Sequence, residues 1–442
     1  MQNSYRVIFE SFDKKNPETS TKRTVLIEDA ILKPTSILDF SMGMDKQITL
    51  IKAAQDCLLA EKSIQLTSNL SCACSQGKLK KFGNHSSVFH DVFTDHQVKI
   101  QRLRCTKCGK EPPSTIRTIF NGIESAELMK IQAELGAKHT FRESEDIFSK
   151  FSNGKRQINN HDRIKQTSEL VGETLDIIGK GEVEVMVAKP ASELILNVDG
   201  GHIKTTEDKR SIEAMTSVIY RPEALESNEK ETRNYITDKH CAASVKDDSG
   251  EQLITNTIVA ALKQGLTDKT HITALCDGAA NCWKVAEALR PLSGSMTCIL
   301  DWFHLAMKIQ NISLPETHKE ELTSIKWHLW RGNVDKAQTS LSLLITKVEE
   351  KHQDRLEKLR TYITNNKDKI VDYNARKEQG KVFTSNLAES TVESLINQRC
   401  KGHQHMRWSR EGLNPLLQLR AAMASNDWGS IWKTAVINAL NR

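Results

Sequence analysis

No stretch of this sequence approaches the roughly 18 consecutive apolar residues that a membrane-spanning helix requires. The amino end, MQNSYRVIFESFDKK, carries charge where a secretory signal would need an apolar centre. These absences set the expectation of a cytoplasmic protein with no membrane partner. A strong excess of one charge is also missing: 62 basic residues stand against 56 acidic ones, a formal +6 over 442 positions. Such a balance permits an anionic partner without requiring one. Short-period repeats and long low-complexity tracts are absent, so domain divisions rest on changes of pattern. Cysteine offers little: of ten, Cys57, Cys241, Cys276, Cys282, Cys298 and Cys400 are scattered through apolar stretches and suggest packing.

What is present is enough apolar residue, 38% of the chain, for two or three domains with real cores. Residues 1–65 form a leader with a strand-like YRVIFESF and a helical ILDFSMGMDKQITLIKAAQDCLLA. Residues 66–118 are polar and hold SCACSQ and RLRCTKCGKEPP. Cys72, Cys74, Cys105 and Cys108 from these two segments suit one tetrahedral four-thiolate Zn2+ site, with SSVFHDVF and HQVKIQRLR as strands of a zinc-ribbon-like module. CTKCG is the stronger knuckle, because its two-residue spacer and trailing Gly let backbone amides turn towards sulfur. His85 or His90 could replace a thiolate, and two unrelated pairs of reduced cysteines are the plain alternative.

Residues 119–188 read as helices: ESAELMKIQAELGA, TFRESEDIFSKF, then a Gly-containing turn and NHDRIKQTSELVGETLDIIG. The pattern suits a helix-turn-helix with Asn160 capping the third helix and Arg163 and Lys165 facing DNA, or else a plain helical bundle.

From residue 189 the texture changes. ELILNVDGGHIK, RSIEAMTSVIYRP and KHCAASVKD read as three strands, QLITNTIVAALKQGL as an amphipathic helix, and HITALCDGAANCW as a fourth strand. Asp199 and Asp277 follow the apolar runs of the first and fourth strands. In a ribonuclease-H-like mixed sheet those strands are neighbours, so the two acids would meet. Adjacent carboxylates repel unless a cation joins them, and Mg2+ or Mn2+, two per site, would serve phosphodiester chemistry. The alternative is that each Asp caps a turn beside its Gly. The α/β core, 189–310 and 385–442, is interrupted over 311–384 by an all-helical insertion, where Trp327 and Trp330 either stack on DNA or fill the core. In NLAESTVESLINQ, Glu389 and Glu393 share a helix face and either could be a third acid.

NVDGGHIK, LCDGAANCW, ILDWFHLAMK and NLAESTVESLINQRCKGHQHMRWSREGLNPLLQLRAA together resemble bacterial insertion-sequence DDE transposases related to the Mutator-like group. The resemblance implies Asp199, Asp277 and Glu389 as catalytic metal ligands. Glu389 is preferred because it precedes Arg399 by ten residues, although SNLAES departs from the Gly-Ser-Gly-like turn of many relatives and keeps Glu393 as runner-up. It also implies Asp301 and His304 as an accessory D-x-x-H element. Asp301 follows Asp277 by 24 residues, enough for one helix and a fifth strand, so it would stand one strand beyond the metal pair; capping HLAMKIQ is the plainer role. Lys401, His403, Arg407 and Arg410 are expected phosphate contacts. The implied protein is a nucleoid-associated transposase that binds element ends and target DNA, cleaves and joins strands, and works as a homodimer or larger assembly. Its rivals are a non-catalytic DNA-binding regulator and a purely hydrolytic nuclease.

Overall fold

The computed structural model describes residues 3–68, 70–112, 122–152, 154–180, 189–208, 210–228, 233–385, 390–391, 393–402 and 406–441. It comprises two compact units, Met1–Val171 with Trp432–Arg442, and Gly172–Ile431. Among the described residues no helix is long and apolar enough to cross a membrane.

The first unit opens with an antiparallel hairpin, β1 (Ser4–Asp13) and β2 (Asn16–Ala30). Helix α1 (Met44–Ser68) begins later than its apolar pattern suggests, because Ile37–Phe40 forms a separate 3-10 turn held by Asp39. A second hairpin, β3 (Leu79–His90) and β4 (Asp95–Cys105), carries the clearest period-two pattern in the unit. His96, Val98 and Ile100 are buried on one face, where Leu59 and Leu66 of α1 pack against the two apolar side chains. His96 Nδ1 meets Asp56 Oδ1 of α1 at 2.7 Å, which fixes the hairpin to the helix. Helices α2 (Ala126–Lys138), α3 (Phe141–Phe151) and α4 (His161–Lys180) follow around Leu128, Phe148 and Ile164. Each start is chemically marked. Ser125 accepts from Leu128 N, Thr140 and Glu143 form a reciprocal capping box, and Asn160 Oδ1 accepts from Arg163 N at 2.7 Å.

The second unit is built on a five-stranded sheet. Its strands are β5 (Glu193–Lys204), β6 (Ser211–Tyr220), β9 (His240–Ser244), β10 (His271–Cys276) and β11 (Ser295–Leu300), with β7 (Leu225–Asn228) and β8 (Arg233–Ile236) making a separate small hairpin. The order across the sheet is β11-β10-β5-β6-β9. β5, β6 and β9 are mutually antiparallel neighbours, whereas β10 runs parallel to both β5 and β11. Numbered within the sheet, the order is thus fifth, fourth, first, second, third. β10 and the stretch of β5 paired with it, Glu193 to Val198, are mostly apolar and buried, as a strand covered on both faces requires.

β5 runs past Asp199 through both glycines. Gly200 to Lys204 continue the ladder with β6, pairing Met215 back to Ser211. The two glycines are strand residues, and a Cβ on Gly200 would lie 2.7 Å from Met215 Sδ. What ends at Asp199 is the pairing of β5 with β10.

Helix α5 (Glu251–Lys263) packs on β6 and β9, its Thr257 Oγ1 meeting Ser217 Oγ at 2.7 Å. Helix α6 (Ala280–Glu287) follows β10, and α7 (Trp302–Gln310) follows β11. The insertion is helical: α8 (Lys319–Trp330), α9 (Val334–Lys347), α10 (Glu350–Asn365) and α11 (Tyr373–Glu378) enclose Ile325, Leu329, Leu341, Leu344, Leu356 and Ile363. After it come a π-helical turn, Glu393–Asn397, and α12 (Arg410–Ala424).

Candidate active site

Parallel pairing of β5 with β10 matches Val198 to Cys276, so Asp199 and Asp277 occupy adjacent positions at the carboxyl end of that ladder. Each carboxylate has little to hold it. Asp199 Oδ1 accepts from Gly200 N at 2.8 Å and Asp277 Oδ1 from Ala279 N at 2.8 Å. Among the described residues neither forms an ion pair with Lys or Arg. Burial, reinforced by the negative charge of Asp277 and Asp301, pushes the Asp199 carboxyl above its ordinary range despite His304 and the Gly200 amide. Cys282 stands against the same pair: burial first, then Asp277, pushes its thiol up, so it stays neutral beside the carboxylates.

Asp301 is buried and fully engaged. Its Oδ2 accepts from His304 N at 3.1 Å, which caps α7, and meets His304 Nδ1 at 2.6 Å. Ser385 N donates to Oδ1 at 2.7 Å and Ser385 Oγ to Oδ2 at 2.9 Å. The two roles open in the sequence, helix cap and partner of His304, therefore belong to one carboxylate. With Nδ1 bound to Asp301, the other nitrogen of His304 remains for the site. Burial works against a charged imidazole, but the hydrogen bond and charge of Asp301, then Asp199 and Asp277, raise the His304 pKa. Burial likewise opposes charge on Asp301, yet the hydrogen bond and charge of His304 with the Ser385 and His304 amides hold its carboxyl below the usual range.

The insertion reaches the same strand ends. Tyr362 Oη of α10 donates to the backbone carbonyl of Asp277 at 2.6 Å. Gly278 has φ +96°, and a Cβ there would lie 2.7 Å from Tyr362 Cε2, so the Asp-Gly pair is required by both the turn and the approach of α10. Trp283 Nε1 donates to Asn366 Oδ1 at 3.0 Å, and Tyr373 Oη to Leu300 O at 2.7 Å. Trp330 is half-buried and lies in an aromatic cluster with Trp302, Tyr373 and Phe383, at centroid distances of 4.8–6.1 Å. Trp327 is 53% exposed. Neither Tyr362 nor Ser385 carried a sequence signal: each sits in a segment whose pattern is otherwise generic.

Glu389 and His403 lie outside the described residues. Glu393 is exposed and accepts from Asn397 Nδ2. Lys401 Nζ approaches Gly201, on the face of β5 that bears Asp199, with Ile396 beside it. Arg407 is exposed, while Arg410 is bound inside the unit to Val245 O at 2.7 Å and to Asp248 and Glu207. Arg163 pairs with the buried Glu124, and Lys165 with Glu169 at 3.3 Å.

The four cysteines converge. Cys72 Sγ lies 3.3 Å from Cys108 Sγ and Cys74 Sγ 3.6 Å from Cys105 Sγ, and all four sulfurs fall within 4.8 Å of one another. Amides of Cys108 and Lys107 hold the Cys105 thiol down to about 6, and Gly109, at φ +71°, makes the knuckle turn. This cluster could bind a metal such as zinc. His85 is exposed and His90 binds Asp95, both apart from the cluster.

No curated protein matches the chain. A family model described as an uncharacterised protein family, UPF0236, matches residues 132–434, a span that includes Asp199, Asp277, Asp301, His304 and both candidate glutamates but not the four cysteines. Because that match covers more than half of its length, the chain belongs to the uncharacterised protein family UPF0236.

Proposed function

We propose that this chain is a DDE-type DNA transposase that binds the ends of an insertion element and cleaves and joins DNA there. The observation that carries the reading is the meeting of Asp199 and Asp277 on adjacent parallel strands, without a basic partner among the described residues. Three further features support it. The sheet order, with the first strand between its antiparallel second and its parallel fourth, is the one expected of a ribonuclease-H-like core. His304, oriented by Asp301, lies within the electrostatic reach of both acids, whose charge raises its pKa. Ser385, tied to Asp301, stands four residues before Glu389, the preferred third acid.

The donor set fits Mg2+ or Mn2+: hard carboxylate oxygens, half-buried, whose mutual repulsion a cation would relieve. Asp199, Asp277 and Glu389 would hold two such ions, with Glu393 as runner-up for the third position. Bound there, divalent ions would supply activation of water or a 3'-hydroxyl and stabilisation of the leaving oxygen. The chain's own residues gather the negative charge, leave it without a Lys or Arg ion pair among the described residues, and hold the His304 ring at its edge. The cysteine cluster and β3–β4 read as a zinc-ribbon-like module, and α3 and α4 as a helix-turn-helix for end recognition. Joining two ends in concert calls for a homodimer or higher assembly on nucleoid DNA.

The test is a strand-transfer assay with DNA carrying the element ends. Joined products in Mg2+ or Mn2+, lost in Asp277→Asn, are expected. Tight end binding without cleavage would favour the regulator, and cleavage without joining the hydrolytic nuclease.

A further inference from the structure

Residues 70–112 hold 8 Lys or Arg against 3 Asp or Glu, so this short stretch carries +5 of the chain's formal +6. A zinc ion on four thiolates would add −2 and still leave the stretch positive. What sets this stretch apart is the density of its unpaired lysines. Lys78, Lys80, Lys81, Lys99, Lys107 and Lys110 are all exposed, and none has a carboxylate partner among the described residues. Elsewhere in the same unit Lys22, Lys46, Lys52, Lys130, Lys155 and Lys165 each face an acid.

The hairpin that displays them is stiffened at both faces of its sequence: His96, Val98 and Ile100 are buried, and Cys105 closes β4 into the cysteine cluster. Phe82 is 39% exposed between the guanidinium groups of Arg102 and Arg104, 5.3 and 3.3 Å from its ring, and Glu111 ties both arginines in place. Lys80 stands opposite Arg104, and Lys99 opposite Ser86. From Arg104 to Lys99 the strand spans about 17 Å. Over that length a DNA duplex presents on the order of ten phosphates.

We propose that the β3–β4 hairpin is the principal phosphate-binding surface of the chain for double-stranded DNA, with Lys81 and Lys99, on the face opposite to the buried His96, Val98 and Ile100, neutralising backbone phosphates. The inference rests on DNA being the substrate, as proposed above, and moves the main contact away from α4. A phosphate reaching Arg163, Lys165 or Arg410 must compete with Glu124, Glu169, or Glu207 and Asp248. The hairpin lysines have no such pair to break.

The experiment follows binding of the full chain to a mixed-sequence duplex by fluorescence anisotropy across a salt series. The Lys81→Glu/Lys99→Glu variant should bind at least about tenfold more weakly, and its dependence of log K on log salt should flatten by about 1.8, roughly 0.9 per lost contact. Zinc content and Tm should match the parent. Lys→Gln at the same positions provides a milder set with the same direction. Arg163→Ala/Lys165→Ala should change affinity by less than about threefold. Parental affinity and salt slope in both lysine sets would overturn the proposal, as would a parent that binds anionic vesicles or single-stranded RNA but not duplex DNA. Asp277→Asn should bind like the parent. Hairpin-dependent binding without cleavage by the parent would sink only the catalytic reading, and cleavage with hairpin-independent binding would sink only this one.

Discussion

Among single side chains, Asp301 does the most for the geometry of the site. Its two oxygens serve the His304 amide and ring and the Ser385 amide and hydroxyl, so removing it strands several buried groups at once. Asp301→Ala should therefore destabilise the second unit by about 2–4 kcal/mol, a lost cap plus unpaired buried donors, read from urea unfolding. The pair also carries a pH signature. His304 has a raised pKa, so its contribution is complete below its ordinary value of about 6.5 and is lost as pH rises through the raised one. Asp301 has a lowered pKa, so its contribution is complete above about 3.9 and is lost as pH falls through the lowered one. In chelator, the Tm gap between parent and His304→Ala should be widest between about pH 4 and 6.5 and narrow in alkali. A gap that stays flat from about pH 5 to 9 would contradict the pairing.

Among elements, the helical insertion is joined to the strands that carry Asp277 and Asp301 through few but specific contacts. Tyr362→Phe removes the donor to the Asp277 carbonyl and should cost about 1 kcal/mol of stability, with a larger proportional loss of Mn2+-dependent cleavage. Gly278→Ala adds a Cβ where φ is +96° and Tyr362 is 2.7 Å away, and should cost about 1–3 kcal/mol in the same unfolding assay. In the first unit, stripping metal from the cysteine cluster should abolish amide-exchange protection in β3 and β4 near Cys105 while leaving the sheet of the second unit protected. β4 and α5 were legible from sequence because one buried face dictates their pattern, and β10 because burial on both faces makes it a short apolar run. β2 was not: NPETSTKR has no alternating apolar face, and β2 exists through its ladder to β1. Asp199 and Asp277 were legible as acids after apolar runs, but the continuation of β5 past Asp199 depends on β6, a partner no local pattern names.

For the whole molecule, what escaped sequence reading is pairing across long separations. Ser385 meets Asp301 across 84 residues and Tyr362 meets Asp277 across 85. Glu124 and Asp248 neutralise arginines that look like free phosphate ligands in the linear sequence. Connectivity of the sheet carries the rest, since the parallel pairing of its first and fourth strands makes two distant acids into one site. The central claim is that this site is a divalent-cation centre. Calorimetric titration of the zinc-loaded full chain with Mn2+ tests it most directly. Asp199→Asn and Asp277→Asn should each weaken Mn2+ binding at least about tenfold at unchanged Tm. Undiminished Mn2+ binding in both variants would contradict the account.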